Sequence, residues 1–212
     1  ADAANAVVQQ IAAGGGTAIA LQADVADESQ VLEMVRQIDS RLGPLTALVN
    51  NAGVIDVAAR VDEMDVRRLR RMFDINLLGS FVCAREALLR MSTRHGGKGG
   101  SIVNVSSVAA RLGGPGQYVD YSASKGAIDT FTTGLAKEVA TENVRVNAVR
   151  PGIIETDIHA SGGQPDRARE MAPLVPMQRS GSAQEVANAI VWLMSRQASY
   201  VTGTIVDVSG GR

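Results

Sequence analysis

Apolar positions along the chain switch repeatedly between a helical and an extended period, and the switches predict an alternation of helices and strands. Ala3, Ala6, Val7 and Ile11 share one helical face, and Gly14-Gly15-Gly16 follow as a stop, so residues 3–13 are predicted helical. Thr17 to Ala23 (TAIALQA) reads as a short buried strand ending at Asp24. Asp27 with Gln30 three residues on resembles a capping box opening a helix over 28–42, which Gly43-Pro44 ends. Leu45 to Asn50 is the next predicted strand, 65–91 a long helix, and His95 to Gly100 a turn leading into strand Ser101 to Ser106. Helix 120–141, strand Val144 to Val149, an irregular stretch over 151–181, helix 182–195 and a strand at 204–208 complete the pattern.

Apolar strands separated by helices need parallel crossovers, so the expected class is α/β with a doubly wound parallel sheet covered on both faces. Ligands in such sheets sit beyond the carboxyl ends of the strands. That directs attention to Asp24, Asn50 to Gly53, Ser106 with Ser107, and Arg150 to Gly152. At 212 residues, with 45% apolar and 20% charged positions, the chain fits one domain over 1–212. Its net charge of -1, with acidic and basic residues interleaved, gives no footprint for nucleic acid or an anionic membrane. No apolar run reaches the roughly 18 residues of a membrane span. Cys83, the single cysteine, lies in a predicted helix; no intramolecular disulfide can form, a packing role is expected, and a cytoplasmic location is favoured.

Tyr121 and Lys125 stand four apart near a helix start, so they rise from one face. Lowering a tyrosine pKa from about 10 to about 7 takes roughly 4 kcal/mol of preferential stabilisation of the phenolate. An ammonium about 4 Å away contributes on the order of 4 kcal/mol at an effective dielectric near 20, so Lys125 is of the right size to activate Tyr121 as an acid/base. Such a pair is common by chance. Ser106-Ser107 at a strand end 14 residues before Tyr121, joined to it by the glycine-rich segment Leu112 to Gln117, makes a folded-back cluster the better reading.

With these residues the chain resembles the classical short-chain dehydrogenase/reductase family, and the Gly-x-Tyr-Val-Asp-Tyr run from Gly116 resembles a bacterial branch often labelled glucose 1-dehydrogenase-like. The family's motifs occur here in order: Asn50-Asn51-Ala52-Gly53, Asn76, Ser107, Tyr121-Ser122-Ala123-Ser124-Lys125, and Pro151-Gly152 with Thr156. The resemblance implies a Rossmann-type three-layer α/β/α fold and hydride transfer between NAD or NADP and a small-molecule alcohol or carbonyl substrate. It implies Tyr121 as proton donor or acceptor, Ser107 as hydrogen-bond donor to the same oxygen with Ser106 as rival, and Lys125 both lowering the tyrosine pKa and holding ribose hydroxyls. Asn76 would perturb its helix and anchor a proton-relay water. For the cofactor, Asp24, Val25, Asn51, Ala52 and Gly53 would meet the adenosine side, and Pro151, Gly152, Ile154 and Thr156 the carboxamide end. A homotetramer built on helices 65–91 and 120–141 and on Val201 to Gly211 is implied as well.

The family opens with a strand, a Gly-rich pyrophosphate turn and a helix, and none of these is in the sequence. Gly14-Gly15-Gly16 follows a helix and precedes a strand, the reverse of the order that motif needs. About 35 to 40 further N-terminal residues are therefore expected by family resemblance, placed in a sheet ordered 3-2-1-4-5-6-7. Residues 155–181 are expected to form a substrate lid hinged at Gly162-Gly163, with His159 able to touch substrate but better read as an exposed loop residue, and His95 as a turn residue. Two alternatives stay open: a ketoreductase of 3-oxoacyl carrier-protein thioesters, and a non-catalytic assembly module.

Overall fold

The computed structural model describes residues 2–212. Its sheet has four parallel strands, β1 (Ala47–Asn50), β2 (Gly100–Val105), β3 (Val144–Pro151) and β6 (Ile205–Val208), in the order β1-β2-β3-β6. A separate parallel pair joins β4 (Ile154–Glu155) to β5 (Gly181–Ser182). The register sets Asn50 beside Asn104 and Val105 beside Val149, so the carboxyl ends of three strands finish together. Successive residues of a strand face opposite layers. On one face Ile102 and Val146 pack against Ala84, Ala87 and Met91 of helix α4 (Gly79–Met91) and Leu135 of helix α6 (Val119–Glu138). On the other, Val103 and Val149 meet Val186 and Leu193 of helix α9 (Ala183–Met194). This is the three-layer arrangement that the hydrophobic alternation predicts.

Helix α2 (Glu28–Leu42) begins at the expected cap, where Asp27 Oδ1 accepts from the amides of Ser29 at 2.9 Å and Gln30 at 3.4 Å. The Ser29 and Gln30 contacts hold the Asp27 carboxyl down at about 2. Val31 and Val35 then pack on Cys83, whose burial raises its thiol pKa and makes it a packing residue, as expected.

Three expectations about elements need correction. Thr17 to Ala23 is not a strand: it runs as irregular chain, because among the described residues no strand lies beside it and an isolated strand leaves its amides and carbonyls unpaired. β1 accordingly forms the edge of the sheet, and Val49 is 36% exposed. The second correction concerns helix 65–91. It is interrupted: α3 (Val66–Phe73) leads through a π-helical turn at Asp74–Leu78 into α4. Asn76 sits in that turn, and Gly79 follows it because a Cβ there would lie 2.7 Å from Val25 Cγ2. The segment 155–181 is not wholly irregular, since it contains helices α7 (Ile158–Ser161) and α8 (Arg167–Met171).

Candidate active site

Beyond β2, the chain passes Ser106 and Ser107, makes the short helix α5 (Ala109–Leu112) and turns back through Gly113 and Gly114. Both glycines have positive φ, +75° and +57°, and a Cβ on Gly114 would lie 2.9 Å from Ser122 Oγ. This tight return spans the 14 residues to Tyr121 and brings Ser107 to the same cavity wall, near enough for its hydroxyl to favour the charged form of Tyr121. The Ser107 oxygen also accepts from the Ala109 amide at 3.1 Å. Ser106 takes a different part, donating to the Lys125 carbonyl at 3.1 Å and so fixing α6 to the end of β2.

Lys125 is 4% exposed, with Nζ donating to the Val105 carbonyl at 2.8 Å and lying 5.7 Å from the centre of the Tyr121 ring. Burial lowers its pKa to about 8; Asp129, one turn further along α6, opposes that, but Asp129 is itself held by Arg150 at 2.8 Å. Tyr121 is raised above the ordinary tyrosine value, by burial first, with the Ser107 hydroxyl opposing. Loss of water thus disfavours the charged form of both groups.

Asn76 is 1% exposed and bridges three elements. Its Oδ1 accepts from the Val54 amide at 2.7 Å, and its Nδ2 donates to the Val54 carbonyl at 2.9 Å and to Ser124 Oγ at 3.2 Å. The π-turn aims the side chain inward to make these bonds, fixing the loop after β1 against α6. A Cβ on Gly53 would stand 3.4 Å from both Asn76 Oδ1 and Lys125 Nζ, so glycine leaves open the space beside the ammonium.

Tyr121, Ser107 and Lys125 line one cavity of about 850 Å³, within the range of small-molecule sites. Of the expected cofactor residues, Asn51, Gly53, Pro151, Gly152, Ile154 and Thr156 line it as well. Asp24, Val25 and Ala52 are not among its lining. Asp24 Oδ1 accepts from the Ala26 amide at 2.9 Å, and Val25 packs against α4 beside Gly79. His159 departs from the expectation of an exposed loop residue: α7 turns it inward, half-buried on the cavity wall, with Nε2 3.1 Å from the Ile154 carbonyl oxygen and its pKa lowered by burial. His95 lies in a surface 3₁₀ turn, as expected. Among the described residues no cluster of His, Cys, Asp and Glu is placed to hold a metal ion, and no helix is long and apolar enough to cross a membrane.

Three features escaped the sequence pattern. Arg167 and Arg212 line the cavity but lie 46 and 91 residues beyond Tyr121, with no local motif to flag them. The third is a buried ion pair: Arg68 Nε donates to Asp120 Oδ2 at 2.8 Å and Nη2 to Oδ1 at 3.3 Å, with the Asp120 side chain fully buried. Asp120 Oδ1 also accepts from the Tyr121 amide at 2.9 Å, so the pair anchors the first turn of α6. Arg68→Met strands a buried carboxylate beneath Tyr121, and a loss of about 3 kcal/mol in unfolding free energy is expected by urea denaturation. A loss below about 1 kcal/mol would place the pair in effective contact with water.

Comparison with known proteins bears on the same residues. A family model described as enoyl-(acyl carrier protein) reductase matches residues 1–212. A short-chain type dehydrogenase/reductase from Mycobacterium marinum is 32% identical, with a TM-score of 0.91 over 99% of this chain and 81% of that one. The chain belongs to the short-chain dehydrogenase/reductase family. Within this family, the uncharacterized oxidoreductase YgfF of Escherichia coli is 55% identical, covering 99% of this chain and 85% of that protein. The 3-oxoacyl-[acyl-carrier-protein] reductase FabG of Staphylococcus aureus is 36% identical over 98% and 82%, and glucose 1-dehydrogenase 2 of Bacillus subtilis 35% over 98% and 80%. A blue fluorescent protein from a metagenomic library, solved in complex with NADPH, is 34% identical with a TM-score of 0.88 over 99% of this chain and 82% of that one.

Proposed function

We propose that the protein is an NAD(P)(H)-dependent oxidoreductase of alcohols and carbonyls, with Tyr121 as general acid/base. The carrying observation is the Ser107–Tyr121 hydroxyl pair beside the buried Lys125 in a cavity at the strand ends. The cavity suits a dinucleotide: Gly53 keeps the space next to Lys125 Nζ clear, and Asn51, Pro151, Gly152, Ile154 and Thr156 continue the wall on either side. When bound, the nicotinamide supplies or accepts the hydride at C4 and, oxidised, carries a positive charge.

The chain's own residues manage the proton. In reduction the substrate carbonyl oxygen takes the Tyr121 proton as the carbonyl carbon takes the hydride, and in oxidation Tyr121 removes the proton of the alcohol. The raised pKa keeps Tyr121 protonated at neutral pH, the form that reduction consumes. Ser107 donates to the same oxygen and stabilises its developing charge. Lys125 stabilises the phenolate once it forms and holds the ribose hydroxyls, while Asn76 fixes the loop carrying Gly53 and anchors the relay that returns a proton. Asp24, Val25, Asn51, Ala52 and Gly53 serve the adenosine side. Residues 155–181 act as the substrate lid over the single domain 1–212. The 3-oxoacyl thioester reading uses the same machinery on another substrate, and the FabG relative supports it to the same degree as the sugar-dehydrogenase relative supports the alternative. The assembly-module reading leaves unexplained why a lysine is kept 4% exposed against a catalytic-type tyrosine. The purified protein is expected to oxidise reduced nicotinamide only when a carbonyl panel is added, followed by absorbance; no turnover with any carbonyl or alcohol in either dinucleotide would end this reading.

We further propose a cytoplasmic homotetramer. Leu78 and Phe81 are 53% and 46% exposed on the α4 side, and Phe81 stacks on Phe131 of α6 at 3.8 Å, forming an apolar surface that spans both helices. Light scattering should return a mass of about four chains; a monomer would refute the assembly and leave the chemistry untouched.

A further inference from the structure

The cavity has a charge pattern that hydride transfer does not require. Lys125, Arg167 and Arg212 line it against one carboxylate side chain, the exposed Asp157. Lys125 belongs to the reaction; the two arginines do not. Arg167 Nη2 donates to Gln117 Oε1 at 3.2 Å and Nη1 to Gln164 Oε1 at 2.5 Å, while its guanidinium lies 5.1 Å from the Tyr118 ring centre. Its partners are thus neutral, so they orient the group without discharging it. Arg212 is half-buried, and its Nη1 is buried with no hydrogen-bond partner. Its main chain is nevertheless fixed, the carbonyl accepting from Arg111 Nη2 and Ser209 Oγ at 3.1 Å each. Burial and the nearby Arg167 charge both press the Arg212 pKa down, yet a guanidinium stays protonated.

A second orphan lies in the same cavity. Ser122 Oγ, on a side chain 4% exposed, also has no hydrogen-bond partner. Leaving a buried donor unpaired costs about 1–3 kcal/mol, more for a charged group. Two neighbouring cations that repel each other, one of them with an unused buried N–H, are arranged to be relieved by an acceptor carrying negative charge.

Resting on the oxidoreductase reading above, we propose that this cavity selects a carbonyl or alcohol substrate bearing an anionic oxygen group, a carboxylate or a phosphate, which Arg167 and Arg212 hold while Tyr121 addresses the reacting oxygen. The anion fixes the far end of the substrate, and Ser122 supplies a further hydrogen bond to its polar stem. Neutral sugars and simple ketones lack the group that completes the site.

The test measures kcat/KM on the full protein with its dinucleotide for two matched pairs: levulinate against methyl levulinate, and acetoacetyl-coenzyme A against acetoacetyl-N-acetylcysteamine. The anionic member of at least one pair is expected to be favoured, on the order of tenfold to a hundredfold, as befits a hydrogen bond to a buried charge. The pair that responds identifies the source, a small acid or a phosphate-bearing carrier arm. Arg212→Gln and Arg167→Gln should each move that ratio toward one. Calorimetric titration with glutarate and with inorganic phosphate, with no carbonyl present, should give binding that both variants weaken. Equal rates within both pairs, or a preference that neither variant alters, overturns the proposal while the oxidoreductase reading stands. A variant that changes dinucleotide affinity and leaves the ratio fixed assigns the arginines to the cofactor and also overturns it. Should no carbonyl turn over, the oxidoreductase reading fails, and the calorimetry alone then decides whether an anion site exists.

Discussion

Tyr121→Phe is expected to lower turnover by roughly 10²–10⁴-fold, the span that a positioned general acid/base contributes, and to leave the fold intact. The substitution removes one oxygen. The ring remains in its place beside Lys125 Nζ, and the amide of residue 121 still donates to Asp120 Oδ1. What is lost is the hydroxyl beside Ser107 that is proposed to pass the proton to the substrate oxygen. Ser107 retains its bond to the Ala109 amide, so no large rearrangement should follow. Dinucleotide binding, read by fluorescence titration, is expected to change little, which separates a lost proton transfer from a lost site. Turnover retained within a few fold of the native protein would remove Tyr121 from the chemistry.

Lys125→Met should have two opposed effects, loss of turnover and a gain in stability. In the unfolded chain this lysine titrates near 10.5; in the fold, burial brings it down to about 8. Between those values the unfolded chain binds more protons than the folded one, so stability increases as pH rises through that window. Below about 8 the whole penalty of burying the charge is present, roughly 3 kcal/mol by the size of the displacement. Methionine occupies similar volume without charge but forfeits the bond to the Val105 carbonyl, so the expected net gain at pH 7 is about 1–2 kcal/mol. Urea denaturation over pH 6 to 11 checks both size and shape, because the gain should fade as the native lysine loses its proton. A variant less stable than the native protein at pH 7 would mean that the ammonium is well solvated through the cavity. A more stable protein without activity would identify Lys125 as a residue retained for chemistry at the expense of folding.

The sequence was most legible where local rules coincide with tertiary need. Periodic apolar positions set β2, β3, α6 and α9, since a strand or helix with one buried face must repeat at its own period. The Asp27 cap lies within four residues, Asp27 to Gln30, and was readable as such. Spacing alone put Tyr121 and Lys125 on one face of α6, and family order supplied Asn76, Ser107, Asn51, Gly53 and Thr156. The same local reading made Thr17 to Ala23 a strand. A strand, unlike a helix, takes its hydrogen bonds from a neighbour, and a pattern within seven residues cannot say whether that neighbour is there.

Long-range features behaved differently. Which of Ser106 and Ser107 faces Tyr121 depends on the turn at Gly113 and Gly114, and adjacent residues on a chain leaving a strand point in opposite directions. The Arg68–Asp120 pair joins residues 52 apart, and Arg167 and Arg212 meet the cavity from helix α8 and from the turn after β6. The ionisation of the central pair was also beyond spacing, since a Coulomb argument in a uniform medium predicts a lowered tyrosine, whereas the folded site withdraws water from both groups and moves each toward its neutral form. By itself, then, the sequence determined the alternating α/β plan and the placing of Tyr121 and Lys125 on one helix face, because these follow from periodicity and from fixed short spacings. Only the tertiary structure decided the direction in which Tyr121 and Lys125 titrate, the placing of Ser107 and not Ser106 towards Tyr121, and the two arginines that line the cavity, because solvent exclusion and contacts between distant segments exist only once the chain has folded.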